Sequence, residues 1–255
     1  MKIVFIGAGN VATHLAWALK YQGHDIVQIY SRTKPSAQKL ALKINTEFCT
    51  SLELLKEADM YIYAIADNAL KSVISRMEFS SGMHIHTAGS VSIDVFENKF
   101  HNYGVLYPLQ TFSKEKDVDF SVIPIFVEGN NEATTDVLFS IANSLSFKTF
   151  KATSDERIRL HIAAVFACNF TNYFYTIASE LVQKSNIPFE ILEPLIAETA
   201  SKIKTLTPFD AQTGPARRND VVTMNKQYEM IEDENQKLIY KFISNCITDK
   251  YKDKE

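Results

Sequence analysis

The chain opens on Lys2-Ile3-Val4-Phe5-Ile6, a short unbroken apolar run rich in β-branched residues. A run of this kind reads as a strand buried on both faces, as in a parallel sheet. Further strand-like runs fall at residues 25–30, 60–65, 83–87, around 104–106, at 122–127 and at 147–150. Between them the spacing turns helical. Val11, Leu15 and Leu19 recur four apart on one face, and Gly23 is placed to end that helix. Helices are predicted at 36–44, at 51–58 with Ser51 as N-cap and Glu53 in the first turn, from 66–69 to about 77, and at 132–145. Pro124 inside the run 122–127 predicts an edge strand or a bulge. Alternation stops near Lys151. Beyond Ser154 the pattern is helical at 155–185, 188–205 and 220–246, with a long loop around Thr207-Pro208 and Thr213-Gly214-Pro215 and a charged tail from Thr248 that is expected to fray. The stretch 160–170 is apolar nearly all round and is expected to be buried on several sides, a partner subunit included.

The first strand and first helix are joined by Gly7-Ala8-Gly9-Asn10-Val11-Ala12, a G-x-G-x-x-A turn. Gly7 permits the tight turn, Gly9 lets backbone approach a pyrophosphate, and Ala12 is small enough for close helix–strand packing. Free N–H groups and the positive end of the helix dipole favour a phosphate there, so Gly7, Gly9, Asn10 and Val11 are candidate dinucleotide contacts. A strand–glycine turn–helix followed by alternating strands and helices predicts an α/β, Rossmann-like, doubly wound and mostly parallel sheet over residues 1–152. A smaller all-α domain is expected over 153–255.

The second strand ends in Tyr30-Ser31-Arg32-Thr33, with no carboxylate to hold a ribose 2′-hydroxyl. Arg32 can present a planar fork to a 2′-phosphate, with Ser31 and Thr33 adding hydroxyls, which favours NADP over NAD; a solvated loop arginine is the alternative. Ligands in such folds sit outside the carboxyl ends of the strands. That places Ala66, Ala88 and Gly89 beside the cofactor, Ser90 and Gln110 toward a substrate, and the Tyr107 hydroxyl within reach of the chemistry. Asp67 is expected to cap the helix that follows it.

Composition narrows the classes. The chain has 255 residues, 46% apolar and 22% charged, with a net charge of −3, which argues against disorder and against nucleic acid as a main partner. Cys49, Cys168 and Cys246 show no metal-type spacing and read as reduced thiols. His84 and His86 share one strand face, but no Cys or carboxylate completes a metal set, so no metal site is expected. The immediate entry into a strand leaves no room for a signal peptide, and no apolar run reaches the ~18 residues that span a bilayer. A soluble cytoplasmic protein is expected.

Gly7-Ala8-Gly9-Asn10-Val11-Ala12, Tyr30-Ser31-Arg32, Thr87-Ala88-Gly89-Ser90, Pro108-Leu109-Gln110-Thr111-Phe112, His161 with Asn169, and Thr213-Gly214-Pro215 with Arg218 and Asp220 occur in this order. Together they resemble a bacterial NADP oxidoreductase family that pairs a Rossmann-like domain with a helical domain of unknown function. Its wider relatives are pyrroline-5-carboxylate reductase, ketopantoate reductase and the 6-phosphogluconate dehydrogenase-like superfamily. The resemblance covers nearly the whole chain and implies an NADP-linked oxidoreductase of unsettled substrate. Two positions depart from the family pattern. Tyr107 stands where a His usually precedes P-L-Q-T-F, and Arg218-Asn219-Asp220 replaces R-G-D. Asn219 tolerates a left-handed backbone. A phenol with a pKa of about 10 cannot copy a titrating imidazole, though it can donate a hydrogen bond.

The resulting expectation is an NADPH-dependent reductase acting on a small carbonyl or imine, a homodimer through the helical domain. His161 supplies or relays the proton, Asn169 orients the substrate, Tyr107 completes the catalytic candidates, and Arg218 is a candidate substrate-anion ligand. Positions 161, 165 and 169 share a helix face at i, i+4, i+8 spacing, and the resemblance implies that polar residues of this helix face the nicotinamide. Buried, hydrogen-bonded structural roles for His161 and Asn169 are the alternative, as is an ion-paired or solvated Arg218. The rival function is a non-catalytic NADP-binding redox sensor, which the Tyr107 replacement keeps open.

Overall fold

A computed structural model describes residues 1–78 and 81–252 of the chain. Among these, eight strands form one sheet: β1 (Lys2–Ile6), β2 (Asp25–Tyr30), β3 (Glu47–Cys49), β4 (Met60–Tyr63), β5 (Met83–His86), β6 (Tyr103–Pro108), β7 (Ile125–Gly129) and β8 (Thr149–Lys151). Their order is β3-β2-β1-β4-β5-β6-β7-β8. Strands β1 to β6 run parallel, β7 turns back against β6, and β8 is parallel to β7. The helices α1 (Asn10–Tyr21), α2 (Lys34–Ile44), α3 (Asp67–Arg76) and α4 (Glu132–Leu145) are interleaved with the strands. The direction of winding reverses between β1 and β4, which opens a crevice at the carboxyl ends of those strands.

Alternation along each strand divides the core in two. Ile3, Phe5, Met60, Ile62, Ile85 and Leu106 join Leu15, Leu19, Leu40 and Leu138 in one cluster. Val4, Ile6, Tyr61 and Tyr63 join Leu70, Ile74, Phe96 and Phe100 in the other. Both faces are covered, so the central strands read as continuous apolar runs.

Two expectations about secondary structure fail within the sheet unit. Residues 51–58 form only a 3-10 turn at Leu52–Leu54, and Ser51, instead of capping, gives its hydroxyl to the Glu53 carboxylate. The Gln28 side chain bonds the Leu54 carbonyl at 3.0 Å and the Lys56 amide at 2.9 Å, and the Tyr61 hydroxyl bonds the Lys56 carbonyl and the Ala58 amide. Tertiary partners thus take the backbone groups that a helix would need. Pro124 marks neither an edge strand nor a bulge. It precedes β7, an interior strand, and its carbonyl accepts from the Leu109 amide at 2.8 Å.

Contacts divide the chain into residues 1–169 and 170–255. The first unit ends in α5 (Ser154–Ala164) and enters a π-helical stretch, Val165–Phe170. The second contains α6 (Thr171–Gln183), α7 (Glu193–Lys202), α8 (Pro208–Ala211), α9 (Val221–Met230) and α10 (Glu234–Tyr251). The expected single helix 220–246 is broken at Ile231, and Asp233 caps a new one by accepting from the Gln236 amide. The tail from Thr248 does not fray at once: α10 continues to Tyr251, and residues 253–255 lie outside the described residues. Within one chain the stretch 160–170 is not buried on several sides. Ile162, Phe166 and Phe170 are exposed, Phe166 by 65%. Among the described residues no helix is long and apolar enough to cross a membrane.

His84 and His86 are fully buried in the second cluster. His84 Nδ1 and the Tyr63 hydroxyl are 2.8 Å apart, and the His84 ring stacks on Tyr61 and Phe100. Burial pushes both imidazoles from an ordinary 6.5 down to about 3, the Arg157 charge adding to the effect at His86. The unfolded chain therefore takes up protons first as pH drops. The stability owed to these neutral rings is complete above about 6.5 and is lost progressively toward about 3. The melting temperature is expected to fall from pH 7 to pH 5, and to fall less steeply in a His84→Phe variant whatever its own stability. Equal slopes for the two proteins would contradict this assignment.

Candidate active site

The sheet register sets β1, β2 and β4 to end at one level, Ile6 lying beside both Tyr30 and Tyr63. Their exit turns are tied together: Gly7 N–H donates to the Tyr30 carbonyl, Ala64 N–H to Ile6, Ser31 N–H to Cys49 and Thr87 N–H to Tyr63. These turns wall a cleft of about 610 Å³. Gly7 has φ +122°, and a Cβ there would stand 2.2 Å from the Ala64 carbonyl oxygen, so the turn and its packing both require glycine. Gly9 differs. Its φ of −81° suits any residue, and a Cβ would meet nothing within 4 Å. Among the described residues nothing occupies the space a side chain there would take, whereas a phosphate backed onto the turn would. Helix α1 starts at this point without a side-chain cap and without an acidic residue in its first turn, which leaves its amides and dipole for an anion.

Gly7, Gly9, Asn10, Val11, Ser31, Arg32, Ala66, Ala88, Gly89, Tyr107, Gln110 and His161 all line the cleft. Arg32 makes no ion pair among the described residues. Ser31 and Thr33 join hydroxyls at 3.4 Å, and Thr33, which precedes α2, is not on the wall. The Asn10 amide is already engaged, donating to the Phe112 carbonyl at 2.7 Å. The Gln110 side-chain oxygen accepts from the Thr111 amide at 2.8 Å. Asp67 does not cap its helix: Ala66 is the N-cap, and the Asp67 carboxylate receives the Ser90 hydroxyl at the edge of the cleft. Ser90 itself does not line the cleft; its hydroxyl is engaged by Asp67, which does.

Tyr107 and His161 meet over Gly89. The Tyr107 hydroxyl is 3.0 Å from His161 Nδ1. A Cβ on Gly89 would stand 2.5 Å from His161 Nδ1 and 2.8 Å from Tyr107 Cζ, so the two rings close down on bare backbone. Tyr107 is 8% exposed. Burial foremost, then the Asp67 charge, raises its pKa, partly offset by Arg157, so the phenol keeps its proton at neutral pH.

His161 is delivered by α5, and α5 is anchored at its first turn. Arg157, 1% exposed, pairs with Glu128 of β7 and donates to the Val91 carbonyl just beyond the Thr87–Ser90 turn. Ser154 gives its amide (2.9 Å) and hydroxyl (2.8 Å) to the same carboxylate and receives the Ile93 amide at 3.0 Å. A capping box between Thr153 and Glu156 fixes the helix start. One turn beyond Arg157 comes His161. The π-helical stretch Val165–Phe170 inserts an extra residue in the next turn, bringing the +8 position round toward where +7 lies in an α-helix. Asn169 therefore returns toward the His161 face, though its residue is exposed and does not line the cleft.

Arg218 lies in the helical unit, exposed at the end of the Ala216–Arg218 turn. Asn219 after it takes φ +50°, the left-handed backbone that glycine would otherwise supply, and Asp220 caps α9 through Thr223. Sequence reasoning missed Ser36 and Lys114, both on the cleft wall. Lys114 follows Gln110 by four residues in the same strand exit, a position no local pattern marks as facing inward.

Residues 2–94 match the family model described as NADP oxidoreductase coenzyme F420-dependent, and residues 123–247 match a domain of unknown function, DUF2520. A provisionally assigned NADP oxidoreductase from Bacteroides fragilis is 42% identical, with TM-score 0.91 over 97% of this chain and 98% of its own. A pyrroline-5-carboxylate reductase from Streptococcus pyogenes, 16% identical, has TM-score 0.64 over 99% and 98% of the two chains. A reductive aminase from Aspergillus terreus, solved with NADPH and ethyl levulinate, is 14% identical with TM-score 0.70 over 97% and 94%. Proteins of curated function gave no match.

The two glycines of the turn are expected to separate folding from binding. Gly9→Ala should lower the melting temperature only slightly, alanine being a poorer helix N-cap than glycine, and weaken NADPH binding by roughly tenfold or more, because the added methyl holds the phosphate away from the turn amides. Gly7→Ala should lower the melting temperature outright. Wild-type affinity in Gly9→Ala, read by titration calorimetry, would remove Gly9 from the cofactor site.

Proposed function

The chain belongs to the NADP oxidoreductase family that carries the DUF2520 domain, and from that premise we propose that it reduces a small carbonyl or imine compound with NADPH. The observation that carries this reading is the Tyr107–His161 hydrogen bond over Gly89, inside the cleft that begins at the glycine turn. The bound cofactor supplies the hydride. The amides of the Gly7–Ala12 turn hold its pyrophosphate, and Arg32 with Ser31 holds the 2′-phosphate, Thr33 touching the site only through the Ser31 hydroxyl. Ala66, Ala88 and Gly89 leave room for the reacting ring, with Ser90 and Gln110 on the substrate side.

The proton comes from the chain. The Tyr107 hydroxyl passes its proton to the substrate oxygen or nitrogen as the carbon is reduced. With a proton on each ring nitrogen, His161 gives the one on Nδ1 to the phenol oxygen as Tyr107 loses its own, so no bare phenolate persists; the ring is left neutral and takes its proton back from solvent after each turnover. A high phenol pKa is an advantage in this arrangement, because the acid stays loaded until charge develops on the substrate. The tyrosine that replaces the family's histidine thus works as a donor backed by a histidine from another element. This favours a reductase over the redox-sensor alternative, which has no use for a proton relay. Asn169 is assigned to orienting the substrate.

Consumption of NADPH should appear within a panel of cyclic imines, 2-oxo acids and aldehydes. The likeness in fold to a reductive aminase puts imines first. Tyr107→Phe and His161→Ala should each lower kcat by roughly 10²–10⁴ with NADPH affinity unchanged. Tight NADPH binding with no turnover anywhere in the panel would favour the sensor.

A homodimer is proposed through the helical unit. Tyr173, Phe174, Leu195, Leu238 and Phe242 are all exposed in the single chain, more apolar surface than a monomer usually leaves in water. Light scattering should give twice the 28.9 kDa chain mass. A Phe242→Glu variant should shift toward monomer, and a wild-type monomer would refute the assembly.

A further inference from the structure

The segment after β6 crosses back over the glycine turn and is held there by α1. The Asn10 amide donates to the Phe112 carbonyl at 2.7 Å, His14 Nε2 donates to the Ser113 carbonyl at 2.8 Å, and the His14 ring stacks on Phe112 at 5.5 Å. Asn10 and His14 stand four apart, on one face of the helix. The next residue, Lys114, is half-buried and lines the cleft, its ammonium 3.0 Å from the Ala8 carbonyl between the two turn glycines. Among the described residues it forms no ion pair. A lysine ammonium has three donors, and a neutral carbonyl answers only one. The positive end of the α1 dipole opens onto the same space. Two positive ends held together by a tethered segment favour an anion between them.

Resting on the cofactor reading above, the geometry points to Lys114 as a ligand of the dinucleotide pyrophosphate, with Asn10 and His14 as the residues that position it. The fingerprint asparagine then has a job of its own: its side chain ties down the segment that carries a cation to the phosphates. Lys114 and Arg32 divide the cofactor's charge. Lys114 serves the pyrophosphate common to both nicotinamide dinucleotides, and Arg32 serves the 2′-phosphate of one.

Titration calorimetry with NADPH and with NADH tests this in the wild type and in Lys114→Met, Lys114→Arg and Arg32→Ala. Lys114→Met is expected to weaken both dinucleotides by the same factor, about tenfold or more. Its melting temperature should change little, since the side chain makes a single hydrogen bond, to the Ala8 carbonyl. Lys114→Arg should recover most of the loss, and Arg32→Ala should weaken NADPH far more than NADH. Undiminished affinity in Lys114→Met, or a loss confined to NADPH, would overturn the inference while leaving the cofactor reading intact. A wild-type protein that binds neither dinucleotide would overturn both.

Discussion

The buried contact between Arg157 and Glu128 is the constraint on which the site depends. Setting a guanidinium and a carboxylate inside a protein costs several kcal/mol of hydration per ion, and their attraction rarely returns more than that. Stability is a poor explanation for the pair, and geometry a better one. Its hydrogen bonds reach three places: β7 through Glu128, the segment after β5 through Val91, and the start of α5 through Ser154. A helix otherwise joined to the sheet by a short strand exit is thereby pinned at its first turn. One turn further on, His161 meets Tyr107 over a glycine that leaves no spare volume. A hydrophobic pair of similar size could hold α5 down, but it would not fix the rotation of the helix about its axis.

Around that anchor the cleft is electrostatically graded. One end gathers positive charge from the α1 amides, Arg32 and Lys114, none of them paired with a carboxylate among the described residues. The other end holds a neutral phenol, a histidine and the Asp67 carboxylate, which is engaged by Ser90. Burial first, and the Asp67 charge after it, hold the proton on Tyr107. A dinucleotide is negative at its phosphates and uncharged or positive at its nicotinamide, so the gradient matches the molecule the family uses.

The two departures from the family pattern are absorbed differently. Asn219 keeps the backbone conformation and so leaves the loop intact. Tyr107 differs in chemistry from the expected histidine, since a phenol does not titrate where an imidazole does, and its hydroxyl lies 3.0 Å from His161 Nδ1. The π-helical widening after α5 acts on the same helix, turning Asn169 back toward the face it would otherwise drift from.

What the sequence alone determined was whatever short-range physics decides. The unbroken apolar runs, the G-x-G-x-x-A turn, the missing carboxylate after Tyr30 and the four-residue spacing in α1 were each legible because the cause lies within a few residues of the effect. From these came the parallel sheet, the glycine turn and the wall of the cleft. Two of the failures share a cause as well. Gln28 and Tyr61 took the backbone partners of 51–58, and Ser90 took the carboxylate of Asp67, each from a distant point in the chain. Only the tertiary structure could bring Tyr107 to His161, 54 residues on, or Lys114 to Ala8, 106 residues back. Periodicity says which face of an element is buried, but which polar groups meet at its end is settled by how neighbouring elements are pinned, here by an ion pair that no local pattern announces.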